Sequence, residues 1–282
     1  MKLCRFKIDD TIHIGKVVEG GVVDLTTVAG VGASMRALLT RYDELAPKLA
    51  AFKGSPKPLS EVRLLAPIDD PQKFLAIGMN YQAHADEAAA AGHPVPKSQL
   101  WFNKQVSCIT GPYDPIELPK ASDRMDYEAE LGFVIGRRCR HVKAAEALSV
   151  VAGYLVCDDV TARDWQFRSP TFTLGKSFDT HGPIGPWLTT VDEVPDPHAL
   201  TMWLTVNGEE RQRTSTGDMI YNIFEQIAYL STVMTLEPGD LIATGTPSGV
   251  GIASDRFLKV GDVVRVEIEK LGAIENRVIA EA

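Results

Sequence analysis

Short runs of hydrophobic residues separated by glycine, proline and aspartate dominate the chain. Such runs predict β-strands, in which side chains point alternately to the two faces of a sheet. Asn207-Gly208 follows one run directly and predicts a type I′ hairpin turn. The clearest strands are predicted at residues 73–78, 106–110, 127–136, 151–158, 201–208, 241–245 and 263–269, and helices at 34–53, 84–91, 143–150 and 222–234.

The order of these elements favours an α+β protein. The chain has neither a regular alternation of strands and helices nor a GxGxxG motif, which disfavours a doubly wound nucleotide-binding fold. We expect a mixed β-roll instead. A connector rich in proline and serine, GSPKPLSEV, ends the first part of the chain. We therefore predict a small N-terminal α+β domain at residues 1–68 and a larger catalytic domain at residues 69–282.

Composition narrows the possible partners. The net charge is −8 over 282 residues, without the block of lysine and arginine that marks a surface for nucleic acid or anionic membranes. No hydrophobic run approaches the roughly 18 residues of a membrane span, and the first residues lack the hydrophobic region of a signal peptide. The four scattered cysteines have no zinc-type spacing and predict reduced thiols. We expect a cytoplasmic protein that binds neither nucleic acid nor membrane.

Two glutamates, Glu128 and Glu130, lie on one face of the predicted strand in the sequence MDYEAELGFVIG. A solvent-facing surface would explain them, but that face continues with Gly132 and Val134 instead of further polar residues. Such a strand can also run from a polar pocket into a packed interior. Two carboxylates are oxygen ligands of the kind that Mg²⁺ and Mn²⁺ prefer. The motif alone leaves both interpretations open.

A third carboxylate could join this pair at the end of the next strand. The hydrophobic run VAGYLVC ends in Asp158-Asp159, and functional side chains are often held at strand ends by the sheet behind them. The alternation of side chains does not choose between the two aspartates. The pair could equally be a simple turn.

Three other stretches carry residues that could take part in chemistry. His84 and Glu87 are three residues apart on a predicted helix, where a carboxylate can orient an imidazole as a general base; a surface pair is the alternative. Lys176 lies in a predicted loop at residues 174–186, which is rich in glycine and proline, and could stabilise an oxyanion, form a Schiff base or simply be exposed. The stretch ATGTPSGVG could bind a carboxylate or form a tight turn.

Taken in order, five motifs resemble the fumarylacetoacetate hydrolase family, from about residue 73 to the C-terminus. They are IGMNYQAHADEA, MDYEAELGFVIG, CDDVTARDWQ, GKSFDTHGPIGP and EPGDLIATGTPSGVG. The chain looks like the short bacterial type, which is related to acylpyruvases, oxaloacetate decarboxylases and hydrolases of 2,4-diketo-3-deoxy sugar acids. The resemblance implies the family's β-roll fold and a site for Mg²⁺ or Mn²⁺.

The resemblance also implies a role for individual residues. It makes Glu128, Glu130 and Asp159 the metal ligands. It makes His84 and Glu87 the dyad that activates water. Further residues that match the family's motifs are Lys176 as a catalytic lysine, and Gln166, Thr246, Arg163 and Tyr81 as residues that contact the substrate, although Arg163 could be structural.

The implied reaction is hydrolysis of a C–C bond in a 2,4-diketo acid, with release of pyruvate and a carboxylate. The same residues could decarboxylate oxaloacetate, or isomerise or decarboxylate a diacid of the hydroxymuconate type. A lyase that uses Lys176 as a Schiff base and a protein that only binds keto acids are the other hypotheses. We expect a small keto acid as the substrate and a homodimer as the assembly.

Overall fold

The computed structural model describes residues 1–92 and 94–282. Strands and helices are mixed along the chain, as the α+β prediction requires. The strands are β1 (Lys2–Ile8), β2 (Thr11–Val18), β3 (Gly21–Asp24), β4 (Arg63–Leu65), β5 (Phe74–Gly78), β6 (Leu100–Lys104), β7 (Ile109–Thr110), β8 (Ile116–Leu118), β9 (Met125–Asp126), β10 (Ala129–Ile135), β11 (Val151–Asp158), β12 (Thr161–Ala162), β13 (Gly182–Thr190), β14 (Thr201–Val206), β15 (Glu209–Ser215), β16 (Leu241–Ala243), β17 (Val263–Ile268) and β18 (Gly272–Ala280).

In the described part of the chain, the helices are fewer than the strands. They are α1 (Met35–Thr40), α2 (Tyr42–Ala51), α3 (Gln82–Ala90), α4 (Arg163–Gln166), α5 (Ile223–Val233) and α6 (Gly251–Ser254). Asn222 caps α5: its side chain accepts the backbone N–H groups of Phe224 and Glu225. In the described part of the chain, no helix is both long enough and hydrophobic enough to cross a membrane.

The main sheet runs through most of the protein, in the order β3-β2-β1-β13-β11-β10-β16-β5-β6. Strand β1 pairs with β13, with Leu3 opposite Leu188. Leu3 and Leu39 also share a hydrophobic cluster with Leu155 and Leu188. The first 68 residues are therefore continuous with the rest of the protein in both sheet and core, and the domain boundary at residues 68 and 69 stays a prediction.

Strand β10 lies inside the protein and separates two hydrophobic cores, with all seven of its residues buried. Leu131 and Phe133 pack into one cluster, and Val134 packs into the other. This alternation matches the two faces predicted from the sequence. A strand buried on both faces holds its side chains rigidly, because each one is enclosed by packed neighbours.

A second sheet, in the order β15-β14-β17-β18-β8, packs beside the first. Its hairpin between β14 and β15 turns at Asn207 and Gly208, whose φ angles are 53° and 81°. Positive φ at both positions is the mark of the predicted type I′ turn.

The structure differs in detail from several sequence predictions. Residues 106–108 form a 3₁₀-helix instead of part of a strand, and the helix predicted at 34–53 is divided into α1 and α2. The stretch at 174–186, interpreted as a loop, ends inside β13, which begins at Gly182. Its prolines concealed the strand, yet Pro186 lies where the register with β11 is interrupted and no ladder hydrogen bond is needed from it. Residues 144–150 form a 3₁₀-helix instead of an α-helix. All four cysteines are buried and free, as expected.

Candidate metal and active site

Three carboxylates converge where β10 and β11 lie side by side. Glu130 is paired with Cys157 across the two strands, which brings the residues at the end of β11 next to those at the start of β10. The backbone N–H of Asp159 donates to the carbonyl oxygen of Glu128 at 2.9 Å. Glu128, Glu130 and Asp159 are buried, and each offers an oxygen within 4.8 Å of the others. The glutamates therefore face a site and not solvent.

Two lysines hold Asp159 from opposite sides. Lys176 Nζ lies 2.7 Å from Asp159 Oδ2 and 2.7 Å from Glu128 Oε2, so it bridges two members of the carboxylate group. Lys104 Nζ lies 2.6 Å from Asp159 Oδ1 and also donates to the carbonyl oxygen of Lys176. Both lysines are buried. The aspartate is thus fixed in place, and Lys176 is drawn to the carboxylates.

Arg163 adds a third positive charge. Its Nη1 lies 2.7 Å from Glu128 Oε1, and its Nε lies 2.8 Å from Asp126 Oδ2. Asp126 also accepts the backbone N–H groups of Gly251 and Ile252 at the start of α6. Arg163 therefore ties the carboxylate group to the loop that encloses the other side of the site. We call Glu128, Glu130, Asp159 and Lys176 the inner end of the site.

The charges within the inner end shift one another's pKa values in opposite directions. Burial, together with the neighbouring carboxylates of Asp159 and Glu128, raises the pKa of Glu130 well above its ordinary value. Burial also disfavours the charged form of Glu128, but Lys176 and Arg163 outweigh it and lower that pKa. Burial raises the pKa of Asp158 to about 8. Burial and mutual repulsion therefore disfavour the charged forms of Glu130 and Asp158.

Asp158 and Asp159, which sequence reasoning could not separate, differ in what they contact. Asp158 Oδ1 accepts the backbone N–H of Glu128 at 2.8 Å, which fixes the chain at the start of β10. Its Oδ2 has no hydrogen-bond partner among the described residues. Asp159 instead directs both oxygens to lysines in the site. Asp159 is therefore the member that belongs to the carboxylate group, in agreement with the resemblance.

His84 and Glu87 form the predicted pair on α3. The distance between His84 Nδ1 and Glu87 Oε2 is 3.1 Å, and Glu87 Oε1 accepts the backbone N–H of Gly249 at 3.2 Å. A proton on Nδ1 that is donated to Glu87 leaves Nε2 free to accept another. The pair thus has the arrangement of an oriented general base.

A cavity of about 470 Å³ joins these groups, within the usual size range of ligand pockets. Eight of the ten residues predicted for the site line it: His84, Glu87, Glu128, Glu130, Arg163, Gln166, Lys176 and Thr246. Asp159 lies directly behind Lys176. The tenth predicted residue, Tyr81, packs in a hydrophobic core and lies outside the lining that the described residues form. Its contact with a substrate stays a prediction.

Gln166 and Thr246 are held by neighbours at the edge of the cavity. Gln166 Oε1 accepts a hydrogen bond from Arg163 Nη1 at 3.0 Å. Thr246 Oγ1 accepts one from Gln212 Nε2 at 3.0 Å, while Gln212 Oε1 accepts the backbone N–H of Ala129. These contacts orient both side chains, and their role towards a substrate stays a prediction.

Sequence reasoning missed several residues that support the site. Asp126 had a signal, because it precedes Glu128 and Glu130 at the same spacing of two. Lys104 had a weaker one, since Leu100, Phe102 and Lys104 alternate along β6 and place a lysine on an inward face. Gln212 had none, because its contact with Thr246 joins residues 34 positions apart.

Comparison with known proteins agrees with this geometry. Residues 73–279 match the model of the C-terminal domain of fumarylacetoacetate hydrolases. The chain belongs to this family. A candidate hydrolase of Burkholderia cenocepacia (strain HI2424) is 49% identical over 231 residues, which make up 80% of this chain and 81% of that protein. The family assignment and the mixed β-roll fold predicted from the five motifs are therefore confirmed.

Solved structures of the family resemble the whole chain. One is the maleylpyruvate hydrolase of Sphingobium sp. SYK-6, in complex with manganese(II) and pyruvate, with 33% identity, a TM-score of 0.87 and complete coverage of both chains. Another is the 5-carboxymethyl-2-hydroxymuconate delta-isomerase of Mycobacterium smegmatis, with 33% identity, a TM-score of 0.80 and complete coverage of both. The relatives of this chain thus include hydrolases and isomerases.

Proposed function

We propose that this protein hydrolyses a C–C bond in 2,4-diketo acids, with release of pyruvate and a carboxylate, in a reaction that depends on Mg²⁺ or Mn²⁺. The observation that carries the proposal is the meeting of two groups at one cavity. Three buried carboxylates offer oxygens within 4.8 Å of one another, and the His84–Glu87 pair lines the same cavity. In the proposed reaction the carboxylates would hold the cation and the His84–Glu87 pair would activate water.

The carboxylate group fits a divalent cation. Its donors are hard oxygens, and burial together with the charges of Asp159 and Glu128 raises the pKa of Glu130, a cost that a bound cation would relieve. Glu128, Glu130 and Asp159 would hold the ion, while Lys104 keeps Asp159 in position. When bound, the ion would supply positive charge for the oxygens of the pyruvoyl group. The maleylpyruvate hydrolase with manganese(II) and pyruvate supports this assignment by similarity.

The dyad would carry out the hydrolytic step. His84 Nε2 would take a proton from water, whose oxygen attacks the C4 carbonyl, and Glu87 would stabilise the imidazolium through Nδ1. A positioned general base accelerates such a step roughly 10²–10⁴-fold. The C3–C4 bond then breaks, its electrons form the enolate of pyruvate, and the imidazolium returns the proton to C3. Lys176, which lines the cavity, would stabilise the oxyanion at C4.

Two alternatives use the same residues differently. Decarboxylation of oxaloacetate and isomerisation of a hydroxymuconate-type diacid also pass through an enolate, and the similarity to a delta-isomerase supports the latter. A Schiff base on Lys176 would require a free amine. In the structure both Glu128 and Asp159 bind the nitrogen of Lys176, so these contacts support the metal-dependent reaction instead.

The test is release of pyruvate from acetylpyruvate by the purified protein, before and after removal of metal with EDTA. We expect activity to disappear with EDTA and to return with Mg²⁺ or Mn²⁺. Borohydride in the presence of pyruvate should leave no covalent adduct on Lys176. Activity that resists EDTA, or an adduct on Lys176, would overturn the proposal. Faster turnover of oxaloacetate than of every acylpyruvate would favour the decarboxylase.

A further inference from the structure

The part of the cavity beyond the inner end is hydrophobic. We call it the apolar wall and define it by six lining residues: Ala91, Phe102, Phe167, Phe172, Val250 and Ile252. They come from α3, β6, the segment between α4 and β13, and the segment around α6. The wall therefore surrounds the cavity from several sides and is not a single exposed patch.

Aromatic rings connect the inner end to this wall. Lys176 Nζ lies 5.1 Å from the centre of the Phe102 ring. Phe102 and Phe172 meet edge to face with their centres 5.9 Å apart, and Phe172 and Phe167 do so at 6.5 Å. Phe167 is 49% exposed, so the series of rings reaches from the buried lysine to the protein surface. A substrate that extends away from the inner end would pass along these rings.

In the part of the chain that the structure describes, positive charge along the cavity lies at the inner end and at Arg163 beside it. Among the described residues that line the cavity, the lysine and arginine side chains are Lys176 and Arg163, and both are ion-paired with Glu128. His84 is paired with Glu87. A second carboxylate at the far end of a substrate would therefore meet the apolar wall without a cation, and removing an unpaired charge from water is strongly unfavourable.

The volume also indicates a substituent of some size. At about 30 Å³ per water molecule in the liquid, a cavity of about 470 Å³ corresponds to roughly 16 water molecules. The three-carbon pyruvoyl group fills only part of it. The remainder, bounded by the apolar wall, is available to the acyl group.

From this placement we infer that the protein acts on acylpyruvates whose acyl group is uncharged and hydrophobic, such as a branched alkyl or phenyl group. This inference rests on the proposed function. If the inference is correct, Phe167 and Phe172 are residues that determine substrate specificity. Diacids, oxaloacetate and polyhydroxylated diketo acids would be poor substrates, because their far ends place charge or hydroxyl groups against side chains that cannot bind them.

A matched pair of substrates tests the inference. The pair is 7-methyl-2,4-dioxooctanoate, which ends in an isopropyl group, and 2,4-dioxoheptanedioate, which ends in a carboxylate of the same shape. We expect kcat/KM to favour the isopropyl compound at least about tenfold, since one methylene in a hydrophobic pocket alone is worth roughly 10–200-fold. Equal values, or a preference for the diacid, would overturn the inference. Acetylpyruvate, measured in parallel, reports on the proposed function alone.

A binding experiment distinguishes failure of this inference from failure of the proposed function. The compounds 6-methyl-2-oxoheptanoate and 2-oxoadipate are a pair of the same design that lacks the C4 carbonyl and cannot be hydrolysed. Calorimetry with the Mn²⁺-loaded protein should show tighter binding of the methyl compound, again at least about tenfold. If this preference is found without turnover of any diketo acid, the proposed function fails while the wall keeps its selectivity. If 2-oxoadipate binds more tightly, the inference fails whatever the enzyme hydrolyses.

Variants then locate the selectivity. Ala91→Lys places a cation in the wall at an exposed position that terminates α3, and it should reduce or reverse the preference for the isopropyl compound. Ala51→Lys, the same change at the exposed end of α2, is the matched control and should leave the preference unchanged. Phe167→Ala should reduce the preference by raising KM for the isopropyl compound. An unchanged ratio in both Ala91→Lys and Phe167→Ala would contradict the assignment.

Discussion

The inner end and the apolar wall are built in different ways. The inner end comes from residues in or beside β10 and β11, strands buried in the middle of the main sheet, and hydrogen bonds and ion pairs hold its charged groups. The wall comes from the end of α3, strand β6 at the edge of the main sheet and the segments around α4 and α6, and two of its members, Ala91 and Phe167, are exposed. A rigid sheet thus fixes the reacting groups, while segments that tolerate substitution shape the space for the substrate.

If the carboxylates of the inner end bind one metal ion together, the loss of one oxygen donor should reduce metal binding and activity more than any other change considered below. Asp159→Asn should weaken Mn²⁺ binding by more than the roughly 10–100-fold seen for residues that only support ligands, and it should abolish pyruvate release. Titration of free Mn²⁺ by electron paramagnetic resonance measures this without an activity assay. Asp123→Asn, the same change at an exposed site, should bind Mn²⁺ like the wild type. Unaltered Mn²⁺ binding by Asp159→Asn would remove Asp159 from the ligand set.

The dyad lines the same cavity as these two regions. His84→Gln should reduce C–C hydrolysis roughly 10²–10⁴-fold, because it removes the general base. Binding of oxalate, measured by calorimetry on the Mn²⁺-loaded protein, should persist, since oxalate needs no activated water. A variant that loses hydrolysis and oxalate binding together would assign His84 to the inner end itself. Lys176→Ala should impair both properties.

The third prediction concerns the support beneath the inner end. Lys104→Met leaves Asp159 buried with only Lys176 as a charged partner, and breaking such a buried pair destabilises a protein by about 3–5 kcal/mol. Urea denaturation measures the change in free energy of unfolding. Lys53→Met, at an exposed lysine, is the control. If the two variants were equally stable, the pair between Lys104 and Asp159 would contribute nothing to the fold.

The smallest effect should appear as a dependence of stability on pH. Burial, and then the charge of Lys104, lower the pKa of His181 to about 3. The unfolded chain, with a histidine pKa of about 6.5, binds more protons below that pH, so stability falls as the pH falls. Between pH 7 and pH 5 this loss is roughly 2 kcal/mol.

The His181→Asn variant should lack the part of the pH dependence of stability that comes from this buried imidazole. Urea denaturation at pH 7 and at pH 5 should show a smaller difference for the variant than for the wild type, by roughly 2 kcal/mol. His141→Asn, at an exposed histidine, should follow the wild type. Parallel pH curves for His181→Asn and the wild type would show that the buried imidazole is not the source of the dependence.

The sequence indicated the residues of the inner end but not those of the apolar wall. Glu128, Glu130 and the aspartates at the end of β11 were visible because carboxylates are unusual beside buried strands. Their convergence depends on the pairing of β10 with β11, a contact between neighbouring strands that hydrophobic patterns indicate well. The packing of Tyr81 in the core could not be predicted from a motif, since the surrounding side chains set the direction of its ring, and its contact with a substrate stays a prediction.

The apolar wall left no pattern of its own. Phe102, Phe167 and Val250 are ordinary hydrophobic residues in three distant parts of the chain, and only the fold brings them to one cavity. Strand β13 was hidden for a related reason. A strand that contains Pro183 and Pro186 contradicts local propensity, and its neighbours on both sides, β1 and β11, stabilise it.

The crowding of carboxylates beside β10 sets selection for activity against selection for stability. Glu130 accepts a backbone N–H from Gly245, which a glutamine could also do, but it is repelled by Asp159 and Glu128. An uncharged side chain there would relieve the repulsion and remove a metal donor at once. Directed evolution for heat resistance alone would therefore be drawn towards inactive proteins at this position, so any such programme should screen turnover in every round.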